Sequence, residues 1–193
     1  MAAPDLVAPV LLLAMPQVAD PFFHKSVVLL LAHEDEGSFG FIVNRSTELK
    51  VVDILRDLEI AWGGAPEVLA RFGGPVQPQV GTLLFAPESG SPDLPGSAEV
   101  LPGVRVSQNL SELALLAGAP PSRFRLLLGY AGWGAGQLIE EILRNDWLTA
   151  PVDLDLIFTQ QPELAWERAL HSVGVDPGSL PAWTPTEDET APN

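Results

Sequence analysis

The residues most able to do chemistry in this chain gather between Gly129 and Asn145. Gly129-Tyr130-Ala131-Gly132-Trp133-Gly134-Ala135-Gly136 follows an expected strand, Arg123 to Leu128, and leads into a helical pattern from Gln137 to about Asn145. Strand, glycine-rich loop and helix, in that order, can present backbone N–H groups to a phosphate at a helix N-terminus. The glycines, however, fall at Gly132-x-Gly134-x-Gly136 rather than at Gly-x-Gly-x-x-Gly, and no Gly-Lys-Ser/Thr follows. The plainer reading is a tight turn with close packing under Trp133.

The helix after these glycines has three faces. At ~100° per residue, Leu138, Ile139, Ile142 and Leu143 form one apolar stripe, expected in the core. Glu140 and Arg144 have the spacing of an exposed i,i+4 pair. Gln137, Glu141 and Asn145, also four apart, make a polar row beside the stripe. That row either lines a cleft next to Trp133 and Tyr130 or bonds neighbouring backbone.

Other chemistries have weaker support. His24 and His33, with Asp20, Glu34, Asp35 and Glu36 nearby, suggest a His/carboxylate metal site. Nine residues of extended chain would hold the two histidines about 30 Å apart, so no metal is expected. His33 reads instead as a hydrogen-bonded residue at a strand end, and His171 as a surface residue. There is no Gly-x-Ser-x-Gly elbow, which leaves Ser26 and Ser107 as poor nucleophile candidates. A hydrolase would need a base, and His33 and Glu141 are the candidates. Gly73-Gly74-Pro75 is a rigid turn, or a place where backbone approaches a ligand. Nothing in the sequence implies a cofactor.

Composition narrows the classes further. The chain of 193 residues carries 25 acidic against 10 basic side chains, a net charge of −15, and only Lys25 and Lys50 are lysines. Binding to nucleic acid through phosphates normally draws on a basic patch, so direct DNA or RNA contact is disfavoured. Hydrophobic residues make up 47% of the chain, enough for a real core. Yet no apolar run approaches the ~20 residues of a membrane span, and Leu6 to Met15 lacks the basic flank of a signal peptide. With no cysteine, thiolate chemistry and disulfides are excluded, and a cytoplasmic location is the expectation.

The elements that must position the candidates follow from hydrophobic period and breakers. Val10 to Ala14 is a buried strand ended by Met15-Pro16. Ser26 to His33 and Phe39 to Asn44 form a hairpin around Glu34 to Ser38. Lys50 to Leu58 has helical spacing. Val68 to Phe72, Thr82 to Phe85 and Val104 to Ser107 are short strands, and 87–96 is a surface loop. Asn109 with Glu112 reads as a capping box opening a helix to Ala117. Leu154 to Phe158 is expected as the last strand, and Pro162 opens a final helix closed by Gly174. Residues 1–180 are expected to form one domain and 181–193 a disordered tail. Because helices are interspersed with strands and two strands are hairpin-linked, a purely parallel sheet is excluded, leaving an α+β fold.

Several segments in this order resemble the bacterial YqgE/AlgH family. They include Ala14-Met15-Pro16, Asp20-Pro21-Phe22-Phe23, Ile42-Val43-Asn44-Arg45, Gly73-Gly74-Pro75, Leu128 to Trp133, Gly136-Gln137-Leu138, Glu141-Ile142 and Asn145-x-Trp147-Leu148. The resemblance runs from about residue 10 to 175. It implies a mixed, largely antiparallel, bifurcated sheet with a small β-barrel, flanked by helices, and no established activity. Part of the family takes its name from regulation of alginate synthesis and carries the label of transcriptional regulator. Two positions depart from the family pattern: Ile139 stands where a glutamate is usual, and Asn109 where an aspartate is common.

The leading expectation is a domain that binds a small molecule or a protein, with Asn44, Arg45, Gly73, Gly74, Tyr130, Trp133, Gln137, Glu141 and Asn145 as its candidate surface. The alternatives are a hydrolase-type enzyme and a transcriptional regulator contacting DNA.

Overall fold

Leu11, Leu12, Leu13 and Ala14 are all fully buried, although successive side chains of a strand point to opposite faces. The strand they form, β1 (Val10–Ala14), must therefore be covered on both sides. In the computed structural model, which describes residues 6–181, β1 lies between β2 (Val27–Glu34) and β10 (Trp147–Ala150), antiparallel to both. Leu11 and Leu13 face a core completed by α4 (Leu154–Ile157) and α5 (Ala165–Ser172). Leu12 and Ala14 face a second core around Trp133, Leu138 and Trp147. The Trp166 indole N–H, on α5, donates to the Ala14 carbonyl at 2.8 Å and fixes this layer to the sheet.

From β2 the sheet continues through β3 (Gly37–Ile42), β9 (Phe124–Gly134), β6 (Val76–Phe85) and β8 (Val104–Ser107) to β7 (Ala98–Leu101). Strand β9 is the branch point. Its Leu127 and Leu128 run parallel to Arg71 and Phe72 of β5 (Leu69–Phe72), which in turn pairs with β4 (Ser46–Lys50). Farther along, 131–134 pair antiparallel with β3. The result is an α+β fold with a mostly antiparallel, bifurcated sheet that curls into a half-barrel. Helices α1 (Val51–Asp57) and α2 (Leu110–Ala117) close a third core over Phe85, Phe124 and Leu126.

The hairpin forms as expected, but pairing runs farther than the residue types suggest. Glu34 pairs with Gly37, so Asp35 and Glu36 alone make the connection. The expected glycine-rich loop is corrected: β9 passes through Gly129, Gly132 and Gly134 as strand, and only Ala135 and Gly136 turn. Close backbone approach explains the glycines. A Cβ on Gly74 would stand 2.1 Å from the Tyr130 carbonyl carbon, and one on Gly129 would stand 2.3 Å from the Gly74 carbonyl oxygen.

Residues 154–157, expected as a strand, are a helix. The Asp153 carboxylate accepts the N–H groups of Asp155 at 2.8 Å and Leu156 at 3.3 Å, an N-cap that outweighs the alternating Val152, Leu154, Leu156 pattern. The strand that completes this edge is β10, just upstream. The capping box at Asn109 is only half formed. Asn109 Oδ1 accepts from the Ser111 N–H at 2.9 Å, whereas the buried Glu112 carboxylate turns away to the Gly96 N–H, 2.6 Å, and the Ser107 hydroxyl.

Helix α3 (Gln137–Leu143) forms, but of its apolar stripe only Leu138 is fully buried, and Leu143 is 49% exposed. Arg144 pairs with Asp146 at 2.9 Å rather than with Glu140. The final helix begins as a 3-10 turn at Pro162, continues as α5 and stops at Gly174, whose φ is +79°. The tail expected to be disordered lies, from residue 182, outside the described residues.

Candidate functional site

Gln137 and Glu141 stand one turn apart on α3, and the short turn after β9 aims them back at Trp133. The Gln137 carbonyl accepts the Gly134 N–H at 3.0 Å, and its amide donates to Glu141 Oε1 at 2.9 Å. Glu141 Oε2 accepts two indole N–H groups, from Trp133 at 2.9 Å and from Trp147 at 2.7 Å. Phe23 completes the aromatic cluster, with ring centroids 6.1 Å from Trp133 and 5.7 Å from Trp147. Beside it opens a cleft of about 310 Å³ whose lining includes Gln17, Asp20, Arg144 and Asp146.

Asn145 does not complete the polar row. It ends α3 in a left-handed conformation, φ +62°, the conformation that commonly terminates helices, and its carbonyl accepts the Gln17 side-chain amide. Tyr130 leaves the cluster as well. Three residues along an extended strand reverse the face, and Tyr130 packs on Phe39 at 5.1 Å beside a different groove, of about 550 Å³, which Trp133 also borders.

Asn44, Gly73 and Gly74 serve the backbone. Asn44 is buried, accepting the Val27 N–H at 2.7 Å and donating to the Lys25 carbonyl at 2.9 Å, which pins the start of β2. Gly73 bridges two strands, its carbonyl accepting from Ile42 and its N–H donating to Leu128, both at 2.8 Å. Arg45 donates to the His24 carbonyl at 2.5 Å. Burial draws the Arg45 pKa below its ordinary value, and the charge of Asp20 works the other way.

The two possible bases differ in their surroundings. Both oxygens of Glu141 are already engaged by three donors. His33 Nδ1 shares a hydrogen bond of 2.7 Å with the hydroxyl of Ser38, its cross-strand partner in the hairpin. Ser38 was not among the sequence candidates; the cue was its place in the hairpin, where tight pairing sets it opposite His33. Ser26 is fully buried and Ser107 is bound to Glu112. Among the described residues no three His, Asp or Glu side chains cluster as a metal site.

Sequence reasoning also passed over Arg71 and Arg125. Both are buried, and both line a pocket of about 530 Å³ with Trp62 and Phe124. The available signal was period: Arg125 shares a strand face with Leu127, and Arg71 with Leu69, positions where an apolar residue is expected.

The AlgH-like family model matches residues 11–178. The chain belongs to this AlgH-like family. A UPF0301 protein of Myxococcus xanthus is 40% identical over 176 residues, covering 90% of this chain and 94% of that protein. Another, from Methylococcus capsulatus, is 42% identical over 167 residues, covering 86% and 88%. The solution structure of AlgH from Pseudomonas aeruginosa superposes with a TM-score of 0.72 at 32% identity, over 91% of this chain and 93% of that one. A crystal structure from Corynebacterium diphtheriae reaches 0.73 at 20% identity, over 89% and 90%, which is a likeness of fold alone. The AlgH-like chain has no helix, among its described residues, that is long and apolar enough to cross a membrane.

Proposed function

We propose that this chain is a binding domain for a small molecule, with the cleft beside Trp133 as its site. One observation carries the reading: a single carboxylate, Glu141, holds Trp133 and Trp147 in fixed positions along the cleft. Walls fixed in the free protein spare a ligand the cost of ordering them. A volume of about 310 Å³ suits a small ligand. Aromatic walls with Gln17, Asp20, Gln137 and Arg144 at hand favour a planar body carrying hydrogen-bonding groups. Glu141 is spent on its three donors, so this cleft favours binding over proton abstraction. The absence of cysteine is in keeping with a cytoplasmic role, and any regulatory role is indirect, because the net charge of −15 repels nucleic acid.

The test is a melting-shift and indole-fluorescence screen of aromatic fragments bearing amide or amine groups. Ala19→Trp, at an exposed position on the cleft, fills its mouth. Fragments that raise the melting temperature of the parent and lose that effect in Ala19→Trp support the reading. Equal shifts in both proteins, or none in the parent, reject it.

A second reading rests on His33 and Ser38. Their hydrogen bond has the reach of a base and a nucleophile, and Ser38 borders the groove next to Tyr130. Ser38 is only 8% exposed, and no described carboxylate hydrogen-bonds to His33, which makes this the lesser reading. Labelling by a fluorophosphonate that disappears in Ser38→Ala would promote it over the first.

A further inference from the structure

Arg71 and Arg125 present an unspent charge inside an acidic protein. A guanidinium offers five N–H donors and stays protonated near neutral pH. Arg71 uses one of them, from Nη1 to the Ser46 hydroxyl. Arg125 uses two, to the carbonyls of Phe124 at 2.7 Å and Thr159 at 2.9 Å, with its guanidinium 5.6 Å above the Phe158 ring. The Nε of each is buried without an acceptor. No described carboxylate comes within ion-pair distance of either.

A buried charge left unpaired is costly, and these two also oppose each other. Burial first, and then the charge of Arg71, push the Arg125 pKa down to about 10. Two acids, Glu67 and Glu163, belong to the same pocket lining, but both side chains are exposed. The charge of Glu163 favours protonated Arg71 from a distance without pairing with it. The chain carries 25 acidic side chains, and none of the described ones pairs with its two most buried arginines. Two aromatic side chains share the lining with them: Trp62 packs on Phe124 with centroids 5.5 Å apart.

We infer that the pocket of about 530 Å³ beneath Trp62 is an oxyanion site, separate from the cleft beside Trp133. It takes a small molecule whose phosphate or carboxylate group is held by Arg71 and Arg125, and whose apolar or aromatic body rests on Trp62 and Phe124. Such a group supplies the missing acceptors and the missing charge together. The overall negative charge of the chain works against non-specific anion uptake, so binding here depends on the buried pair.

Calorimetric titration and melting curves of the full chain with phenyl phosphate, benzoate and the neutral benzyl alcohol, at ionic strength fixed by sodium chloride, test this. At least one oxyanion should bind saturably and raise the melting temperature, while benzyl alcohol does neither; comparing the two oxyanions assigns the group as phosphate or carboxylate. Arg71→Met should weaken binding roughly ten- to a hundredfold, by losing charged hydrogen bonds, while melting no lower than the parent without ligand. Glu163→Gln, an exposed change, should tighten binding by removing a like charge at the pocket. Ala19→Trp, which closes the other cleft, should bind as the parent does. The inference fails if neither oxyanion binds, if benzyl alcohol binds as tightly, or if Arg71→Met binds equally well. It also fails if Glu163→Gln does not tighten binding or if Ala19→Trp abolishes it.

Discussion

Trp133 and Trp147 donate their indole N–H groups to the same oxygen, Oε2 of Glu141, and their rings meet edge to face with centroids 5.7 Å apart. Three strands separate β9 from β10 in the sheet order, a gap of about 19 Å across a flat sheet at the usual strand spacing. The curl of the sheet and the span of α3 beneath it close that gap. Glu141 is thus the point at which two distant parts of the sheet are joined.

Removing that point should be costly in a way that depends on the acceptor more than on the charge. Glu141→Ala leaves two indole donors without a partner and should destabilise the fold by about 3 kcal/mol. Glu141→Gln keeps an accepting oxygen and should cost about 1 kcal/mol. Urea unfolding of the two variants checks the order; equal losses would show that the negative charge, and not the shared acceptor, is what matters.

Trp133 itself is 6% exposed and packed between Phe23 and Trp147. Trp133→Ala should cost about 3 to 5 kcal/mol in the unliganded protein. A near-unchanged unfolding midpoint would mean that the ring is held for a ligand rather than for the fold.

The contact of Gly74 with β9 gives a sharper contrast. An added Cβ would lie 2.1 Å from the Tyr130 carbonyl carbon, so Gly74→Ala should destabilise by about 3 kcal/mol or more. Gly103 has φ +72° but nothing within 4 Å of an added Cβ, so Gly103→Ala should cost about 1 kcal/mol, for conformation alone. Thermal unfolding of the pair separates steric clash from backbone strain.

Burial of the arginine pair makes a signed prediction with pH. Because the Arg125 pKa falls to about 10 in the fold, well below the ordinary arginine value, the unfolded chain binds more protons between the two. The penalty is therefore fully present at neutral pH and is relieved as pH rises through about 10. Arg71→Met should then stabilise the free protein at pH 7, by on the order of 1 kcal/mol. That advantage should shrink in the alkaline range as Arg125 in the parent gives up its proton. Denaturation of parent and variant across pH 7 to about 11 tests it; an advantage that grows with pH would contradict the charge argument.

With a net charge of −15, the pure chain should give no salt-sensitive, sequence-selective retardation of duplex DNA at physiological salt. A gel shift of that kind would restore direct DNA contact as a reading.

Local pattern determined a good part of this protein. The apolar run of β1, the paired β-like runs of the hairpin, the helical spacing of α1 and the terminating Gly174 are legible because each depends on side-chain type and period within a few residues. The edge strands β4 and β7 were not legible, because few of their residues are buried; β4 forms by pairing with β5 across helix α1, and β7 by a tight hairpin with β8. At Asp153 a single capping carboxylate decided for helix where alternation suggested strand. Residue type also singled out Trp133, Gln137 and Glu141, but their convergence with Trp147 needed the curl of the sheet. Tyr130 went to another groove, because three residues along a continuous strand change the face, and the glycines allowed that strand to run on. The pairing of Arg71 with Arg125 was decided by tertiary structure alone. Their strands, 54 residues apart in the chain, lie side by side only because β9 branches, and burial of two like charges is a property of that contact and of neither segment.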